Sequence, residues 1–275
     1  MAISFLQKLL TIKIKNRIRR FYWKIRFRGK SKKEKVISLF FGDINIRLSE
    51  AVGGNIYSEY VHEMPETKFL QNYSNDDWVC LDVGANIGYF SVLLSTLCPK
   101  GRVIAVEPIL ANAEFTKQNL YRNRITNCDV ECAALSDEVG EREFNLVSDT
   151  AFSGFKSTGR KAGSESILVK TLTPLMLLEK HGVEKIDLIK IDIEGAEPIV
   201  FKAFEAAFKN NRPKFILSEC NSKNLASYGY QVSEFLAMMG DYGYEVFCLT
   251  DDGHMKSIDG IDEVLFDNVV FRLRE

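Results

Sequence analysis

A chain of 275 residues with 46% hydrophobic side chains is long enough to bury one large α/β core and needs no second full domain. Its formal net charge of −1 joins two opposed parts: residues 1–35 hold thirteen Lys and Arg and one acid, Glu34, while residues 36–275 hold 23 bases and 36 acids. A basic arm and linker (1–35) thus precede an acidic domain (36–275), and an acidic body excludes the basic face that nucleic-acid binding needs.

Along the arm, Ile14, Ile18, Phe21, Tyr22 and Ile25 recur at helical spacing beside a stripe of Lys13, Arg17, Arg20 and Lys24, which predicts a basic amphipathic helix. Two surfaces suit it, and sequence favours neither. One is an anionic membrane, contacted through residues 1–28 with Tyr22 and Trp23 near the headgroups; the other is the acidic body or a partner subunit. No run reaches the roughly 18 uncharged apolar residues of a membrane span, and bases interrupt the N-terminal segment before a signal-peptide core forms. The expectation is a cytoplasmic protein, peripheral at the inner membrane face if the arm docks there. The six cysteines form no C-x-x-C pair and read as reduced core residues.

Beyond Lys35, strands alternate with helices, the pattern of a mainly parallel sheet. Strands are predicted at 78–83, 102–106, 129–133, 186–191, 214–218, 244–249 and 268–273. Helical faces follow from Phe90, Leu93, Leu94 and Leu97, from Val200, Ala203, Phe204 and Ala207, and from Val232, Phe235, Leu236 and Met239. Thr173 and Pro174 open a further short helix that Gly182 closes. No helix separates the last two strands, only the Asp- and Gly-rich stretch 251–262, so the last strand is expected to run antiparallel. Residues 141–171 stand outside the alternation and suggest an inserted hairpin whose loop overhangs a ligand cleft.

Two segments carry the chemistry. Leu81-Asp82-Val83-Gly84-Ala85-Asn86-Ile87-Gly88 follows a strand and opens a helix, with glycines that let backbone amides approach a ligand. Nineteen residues beyond Gly88, a second strand ends at Glu107, where a carboxylate can accept both hydroxyls of a ribose. Together they point to a nucleoside-containing cofactor. A dinucleotide is disfavoured, because Asn86 replaces the middle glycine of G-x-G-x-x-G, and an acid at Asp82 suits the cationic groups of S-adenosylmethionine, directly or through water.

LDVGANIGYFS, the IAVEP strand end, IDLIKIDIEGAEPIVFKAF and PKFILSECN resemble the FkbM-type methyltransferases over roughly residues 57–273. The resemblance implies a Rossmann-like class I methyltransferase fold, with a seven-stranded mainly parallel sheet whose last strand is antiparallel. It also implies an S-adenosylmethionine-dependent methyltransferase that O-methylates a sugar, a glycan or another small hydroxylated acceptor. Carried over by motif, Asp82, Gly84, Asn86 and Gly88 line the amino-acid end of the cofactor, Glu107 its ribose, and the turn from Ala134 to Asp137 its adenine. The family's acid in a T-L-D-like pattern is absent here, where Thr173-Pro174 stands; capping by Thr173 is a structural substitute.

Asp192 ends the fourth strand and faces the transferring methyl, with Glu219 and Asn221 at the end of the next strand. Three readings stay open: Asp192 or Glu219 orients and deprotonates the acceptor hydroxyl; Asp192, Glu219 and Asn221 hold Mg²⁺; or Asp192 and Glu194 brace backbone amides before Pro198. Lys190 reaches either the cleft or Asp187, and pairing with Asp187 is the expectation. The three histidines are not clustered, and His181 beside Gly182 reads as a helix-terminal cation. Tyr57 and Glu59 suit either a site over the cofactor or helix packing. The competing functions are a nicotinamide-dependent oxidoreductase, opposed by Asn86 and by the absence of Tyr-x-x-x-Lys, and an inactive membrane-docked scaffold.

Overall fold

The computed structural model describes residues 15, 17–25, 33–156, 165–208, 212–258 and 268–275. In chain order, helix α1 (17–25) leads to the strands β1 (Glu34–Leu39) and β2 (Gly42–Arg47) and the helices α2 (Ala51–Glu59) and α3 (Met64–Tyr73). Then follow β3 (Val79–Val83), α4 (Tyr89–Leu97), β4 (Arg102–Val106), α5 (Leu110–Arg122), β5 (Cys128–Glu131), β6 (Ala134–Leu135), β7 (Gly140–Leu146) and β8 (Glu165–Leu172). The chain continues through α6 (Pro174–His181), β9 (Leu188–Ile191), α7 (Glu197–Phe208), β10 (Phe215–Glu219), α8 (Ser222–Ser227), α9 (Val232–Asp241), β11 (Tyr244–Leu249), β12 (Met255–Ser257) and β13 (Asn268–Leu273).

The main sheet has the order β12-β11-β13-β10-β9-β3-β4-β5. The five strands from β10 to β5 run parallel, and β13 is antiparallel to both β10 and β11. The seven strands of the class I methyltransferase fold are all present, with the antiparallel last strand. An eighth, β12, extends the edge from within the stretch read as holding no helix. Its signal is a turn at Thr250–Gly253, where Gly253 has φ +78° and its N–H donates to the Thr250 carbonyl at 2.8 Å, folding the chain back onto β11.

The strands read as near-continuous apolar runs because helices cover both faces. Cys80 and Leu188 face a core layer with α4 and the β1–β2 hairpin, while Leu81, Val83, Ile189 and Ile191 face a layer with α6, α7 and α9. Short-range signals set the helix ends: Thr173 Oγ1 accepts the Met176 N–H at 3.3 Å to cap α6, and Gly182 ends it in the left-handed region at φ +60°.

Strands β7 and β8 pair antiparallel as the expected hairpin, with β6 added alongside in parallel; residues 157–164 of the intervening loop lie outside the described residues. The β1–β2 hairpin was not anticipated, although Ile37 and Leu39, then Ile44 and Ile46, alternate on either side of Phe40-Phe41-Gly42. It is tied to the glycine loop through Asn119, whose Oδ1 accepts the Asn45 N–H and whose Nδ2 donates to the Ile87 carbonyl, both at 2.8 Å.

Helix α1 packs on α2. Trp23 is 3% exposed, its indole N–H donates to the Leu48 carbonyl at 2.6 Å, and a Cβ at Gly54 would come within 2.2 Å of its ring. Arg20 pairs with Glu59 at 3.4 Å, and the Arg19 guanidinium lies 4.7 Å from the Tyr60 ring centroid. Trp23 is therefore an anchor in the body and not a headgroup contact. Glu59 takes part in this helix packing, while Tyr57 lies under the Lys35 ammonium. No helix among the described residues is long and apolar enough to cross a membrane.

Candidate functional site

The crevice of an open α/β sheet lies beyond the carboxyl ends of its strands, where the connections diverge to the two sides. Here that point is flanked by β9, β3 and β4, and one cavity collects their ends: Gly84 to Ile87 after β3, Glu107 to Ile109 after β4, and Asp192 to Glu194 after β9. Ala133 to Leu135 close one end, Val52 and His62 line another side, and Thr150, Ala151, Ser153 and Phe155 bring the inserted hairpin's loop over it.

The glycine loop is shaped by contacts within the protein. Gly84 sits at φ +82°, and a Cβ there would lie 2.0 Å from the Asp192 carbonyl oxygen, so glycine is what allows the β3 and β9 ends to touch. Gly88, at φ +80°, presses on Thr116 of α5 in the same way, with a Cβ falling 2.7 Å from Cγ2. Both glycines thus permit close packing of the loop on its neighbours, and Gly84 also lines the cavity. Gly84→Ala is expected to lower the unfolding free energy by roughly 2–4 kcal/mol, read from urea denaturation, since strain and clash act together.

Glu107 is buried on the cavity wall. Its Oε2 accepts the Asn86 N–H and its Oε1 the Ile109 N–H, both at 2.9 Å. Burial pushes its pKa up to about 7 against these bonds. A ribose that donates two hydroxyls requires the ionised form, so binding should tighten as Glu107 loses its proton. Affinity for S-adenosylmethionine is accordingly expected to rise by up to about tenfold from pH 6 to pH 8, and calorimetry on Glu107→Gln should show a flat profile.

Asn86 adopts φ +51°, and its Oδ1 is buried without a hydrogen-bond partner. Asp82 is fully buried beneath the loop and is not part of the cavity wall: Oδ2 accepts the Ser91 hydroxyl at 2.5 Å and Oδ1 has no hydrogen-bond partner. Burial holds the Asp82 pKa above its ordinary value, with Lys190 acting in the opposite sense. The orphaned acceptor of Asn86 on the wall, beside Glu107, fits a hydroxyl or ammonium donor of S-adenosylmethionine, whereas Asp82 lies beneath the loop and away from that wall. Ala134 lies on the wall.

At the other end stand Lys190, Asp192 and His62. Lys190 is buried in β9 opposite Asp82 and reaches Asp192 Oδ2 at 3.4 Å, with its ammonium 5.1 Å from the Phe90 ring centroid. Burial alone would lower its pKa, but Asp192, Glu63 and Asp82 together hold it above the ordinary lysine value. The expected Lys190–Asp187 pair is thus replaced by Lys190–Asp192, because side chains alternate across a strand and residues two apart share a face. Asp187 instead accepts the Val79 N–H at 3.0 Å and pairs with Lys185.

His62, one of the three histidines that are not clustered in sequence, is enclosed in the cavity wall with Nδ1 buried and without a hydrogen-bond partner; burial and then the Lys190 charge push its pKa down to about 4. It is neutral at physiological pH. His181, by contrast, meets Glu131 at 3.3 Å beside β5, away from the cavity-lining set.

The acids after β9 make separate contacts. Asp192 faces Lys190, Glu194 accepts from Asn224 Nδ2 at 2.7 Å, and the amide-bracing role falls to Glu197, whose Oε1 accepts the Ile193 N–H at 2.9 Å. Asn221 uses its Oδ1 to cap α8, accepting from the Lys223 and Asn224 N–H groups at 3.0 and 3.2 Å. It is therefore not directed at the carboxylates, and Glu197 joins Asp192 and Glu219 instead, with oxygens of all three within 4.8 Å of one another. Glu219 accepts from Asn224 at 2.8 Å and is not on the cavity wall. Burial and then Glu219 raise the Glu197 pKa. Among the described wall residues Lys190 is the cation, and it is already paired, so the cavity is poorly suited to a pyrophosphate.

The model of the methyltransferase FkbM domain matches residues 82–246. The AMB antimetabolite synthetase AmbE of Pseudomonas aeruginosa is 26% identical over 230 residues, covering 69% of this chain, which spans only 11% of that protein's length. The 31-O-demethyl-FK506 methyltransferase FkbM of Streptomyces tacrolimicus is 26% identical over 63% of this chain and 75% of its own length. The hexuronic acid methyltransferase AglP of Haloferax volcanii is 29% identical over 54% of this chain and 59% of its own.

Proposed function

We propose, from the premise that the chain belongs to the methyltransferase FkbM domain family, that it moves the methyl group of S-adenosylmethionine to a hydroxyl oxygen of a sugar, glycan or other small acceptor. The observation that carries this reading is a single cavity bounded by Glu107 on one side and the Lys190–Asp192 pair on another. Names such as hexuronic acid methyltransferase and 31-O-demethyl-FK506 methyltransferase among the relatives favour an oxygen acceptor.

When bound, S-adenosylmethionine supplies an electrophilic methyl on a sulfonium that departs as a neutral sulfide. Glu107 would hold the ribose, and the loop from Gly84 to Gly88 would receive the amino-acid end. Asp192 would orient the acceptor hydroxyl and take its proton as that oxygen accepts the methyl group. Lys190, 3.4 Å from its Oδ2, holds the Asp192 carboxylate in place for that task. Alignment supplies much of the acceleration, since the leaving group is already good.

A second reading places a divalent cation at Asp192, Glu197 and Glu219, where it would acidify the hydroxyl; it is favoured by Glu197 Oε2, buried without a hydrogen-bond partner. Methyl transfer from labelled S-adenosylmethionine to a panel of sugars and glycans, with and without chelator, tests both. Product formation that survives chelation supports the base mechanism, and loss restored by Mg²⁺ supports the cation. Binding of a nicotinamide dinucleotide instead of S-adenosylmethionine would refute both and favour an oxidoreductase; S-adenosylmethionine binding without turnover on any acceptor would favour the scaffold.

A further inference from the structure

Helix α1 meets the body through one side and turns the opposite side outward. At about 3.6 residues per turn, Trp23, Arg19 and Arg20 fall on the side that packs on α2, while Ile18, Phe21, Tyr22 and Ile25 fall on the other, at the i, i+3, i+4, i+7 positions of one stripe. Ile18 is 62%, Phe21 67% and Ile25 58% exposed. Lys15 flanks the stripe on one edge and Arg17 and Lys24 on the other, all exposed. An amphipathic helix with only the body to cover it would turn the apolar stripe inward. Here Trp23 is locked by its hydrogen bond to Leu48 and by the glycine at 54, so the stripe faces away.

We propose that this outward stripe docks on an anionic membrane surface. Its chemistry matches that of a helix lying in the interface plane: apolar side chains enter the acyl boundary while the flanking bases meet lipid phosphates. The charge distribution gives the docking a direction, because an anionic surface attracts the basic arm and repels the acidic body. A second copy of the chain is a poorer occupant, since a symmetric pairing of the same patch would set Lys15, Arg17 and Lys24 against their own equivalents. The receiving helix α2 also contributes Val52 to the cavity wall, so the docking surface lies one helix away from the site.

The test is sedimentation of the full chain with vesicles of phosphatidylcholine alone or with about 30% phosphatidylglycerol. The protein is expected to partition at least about tenfold more strongly onto the anionic vesicles, with the difference largely lost in about 0.5 M salt. Phe21→Ser with Ile25→Ser should reduce partition about tenfold or more, and Arg17→Glu with Lys24→Glu should abolish the preference for anionic lipid. Both variants should keep the wild-type melting temperature, because these side chains point away from the body. Equal partition onto both vesicle types, or wild-type partition by the double serine variant, would overturn the proposal. A dimer in size-exclusion chromatography that the serine substitutions dissolve would overturn it too, and would assign the stripe to a second copy.

Discussion

Glu107→Ala should weaken S-adenosylmethionine and S-adenosylhomocysteine binding by about a hundredfold, while the protein still folds. Two effects add. The ribose loses its carboxylate partner, and hydrogen bonds to a charged group are each worth about 1.5–3 kcal/mol. The glycine loop also loses its brace, because Glu107 accepts the Asn86 and Ile109 N–H groups and fixes the backbone on which the cofactor would lie. Glu107→Gln separates the two, since an amide oxygen can keep one of those bonds but carries no charge; an intermediate loss in calorimetry is expected. Wild-type affinity in Glu107→Ala would remove this residue from the binding role.

Asp192→Asn should leave S-adenosylhomocysteine affinity within about threefold and lower turnover by roughly 10²–10⁴, the usual range for a lost general base. Asparagine keeps the shape next to Lys190 but cannot take a proton, and Lys190 retains the Glu63 and Asp82 charges that also stabilise its ammonium. Single-turnover methyl transfer under saturating cofactor isolates the step. Losses of equal size in binding and in turnover would contradict the division of roles between Glu107 and Asp192. Undiminished turnover in Asp192→Asn, together with loss in Glu219→Gln, would move the base to Glu219.

The fold was legible where a periodic apolar pattern meets a local stop signal. Leu81, Val83, Ile189 and Ile191 read as strand core and proved so, and Thr173-Pro174 with Gly182 delimited α6. The site was legible to the level of strand ends, since strand order alone brings Gly84, Glu107 and Asp192 to one crevice. What sequence left open depended on where side chains point. Lys190 reads as reaching the cleft or Asp187, although strand parity sets Asp192 on its own face; the bracing read for Asp192 and Glu194 falls to Glu197, which has no local signal in the sequence.

His62 gave no local signal, because it reaches the cavity wall, near Lys190 and Asp192, only through the fold of the α2–α3 connection. Asn221 looked like a ligand oxygen beside Glu219, yet an Asn before a helix is first of all a cap. The basic arm had an amphipathic pattern that could not say which side meets the body. Trp23 decides that, through a hydrogen bond to a carbonyl 25 residues away.

The most direct measurement is titration calorimetry of the purified full chain with S-adenosylhomocysteine, in parallel with Glu107→Ala. A one-to-one exothermic isotherm for the wild type that collapses in the variant is the expected result. The absence of any heat or melting-temperature shift with S-adenosylhomocysteine and with S-adenosylmethionine would contradict the assignment of this cavity to an adenosyl sulfonium cofactor.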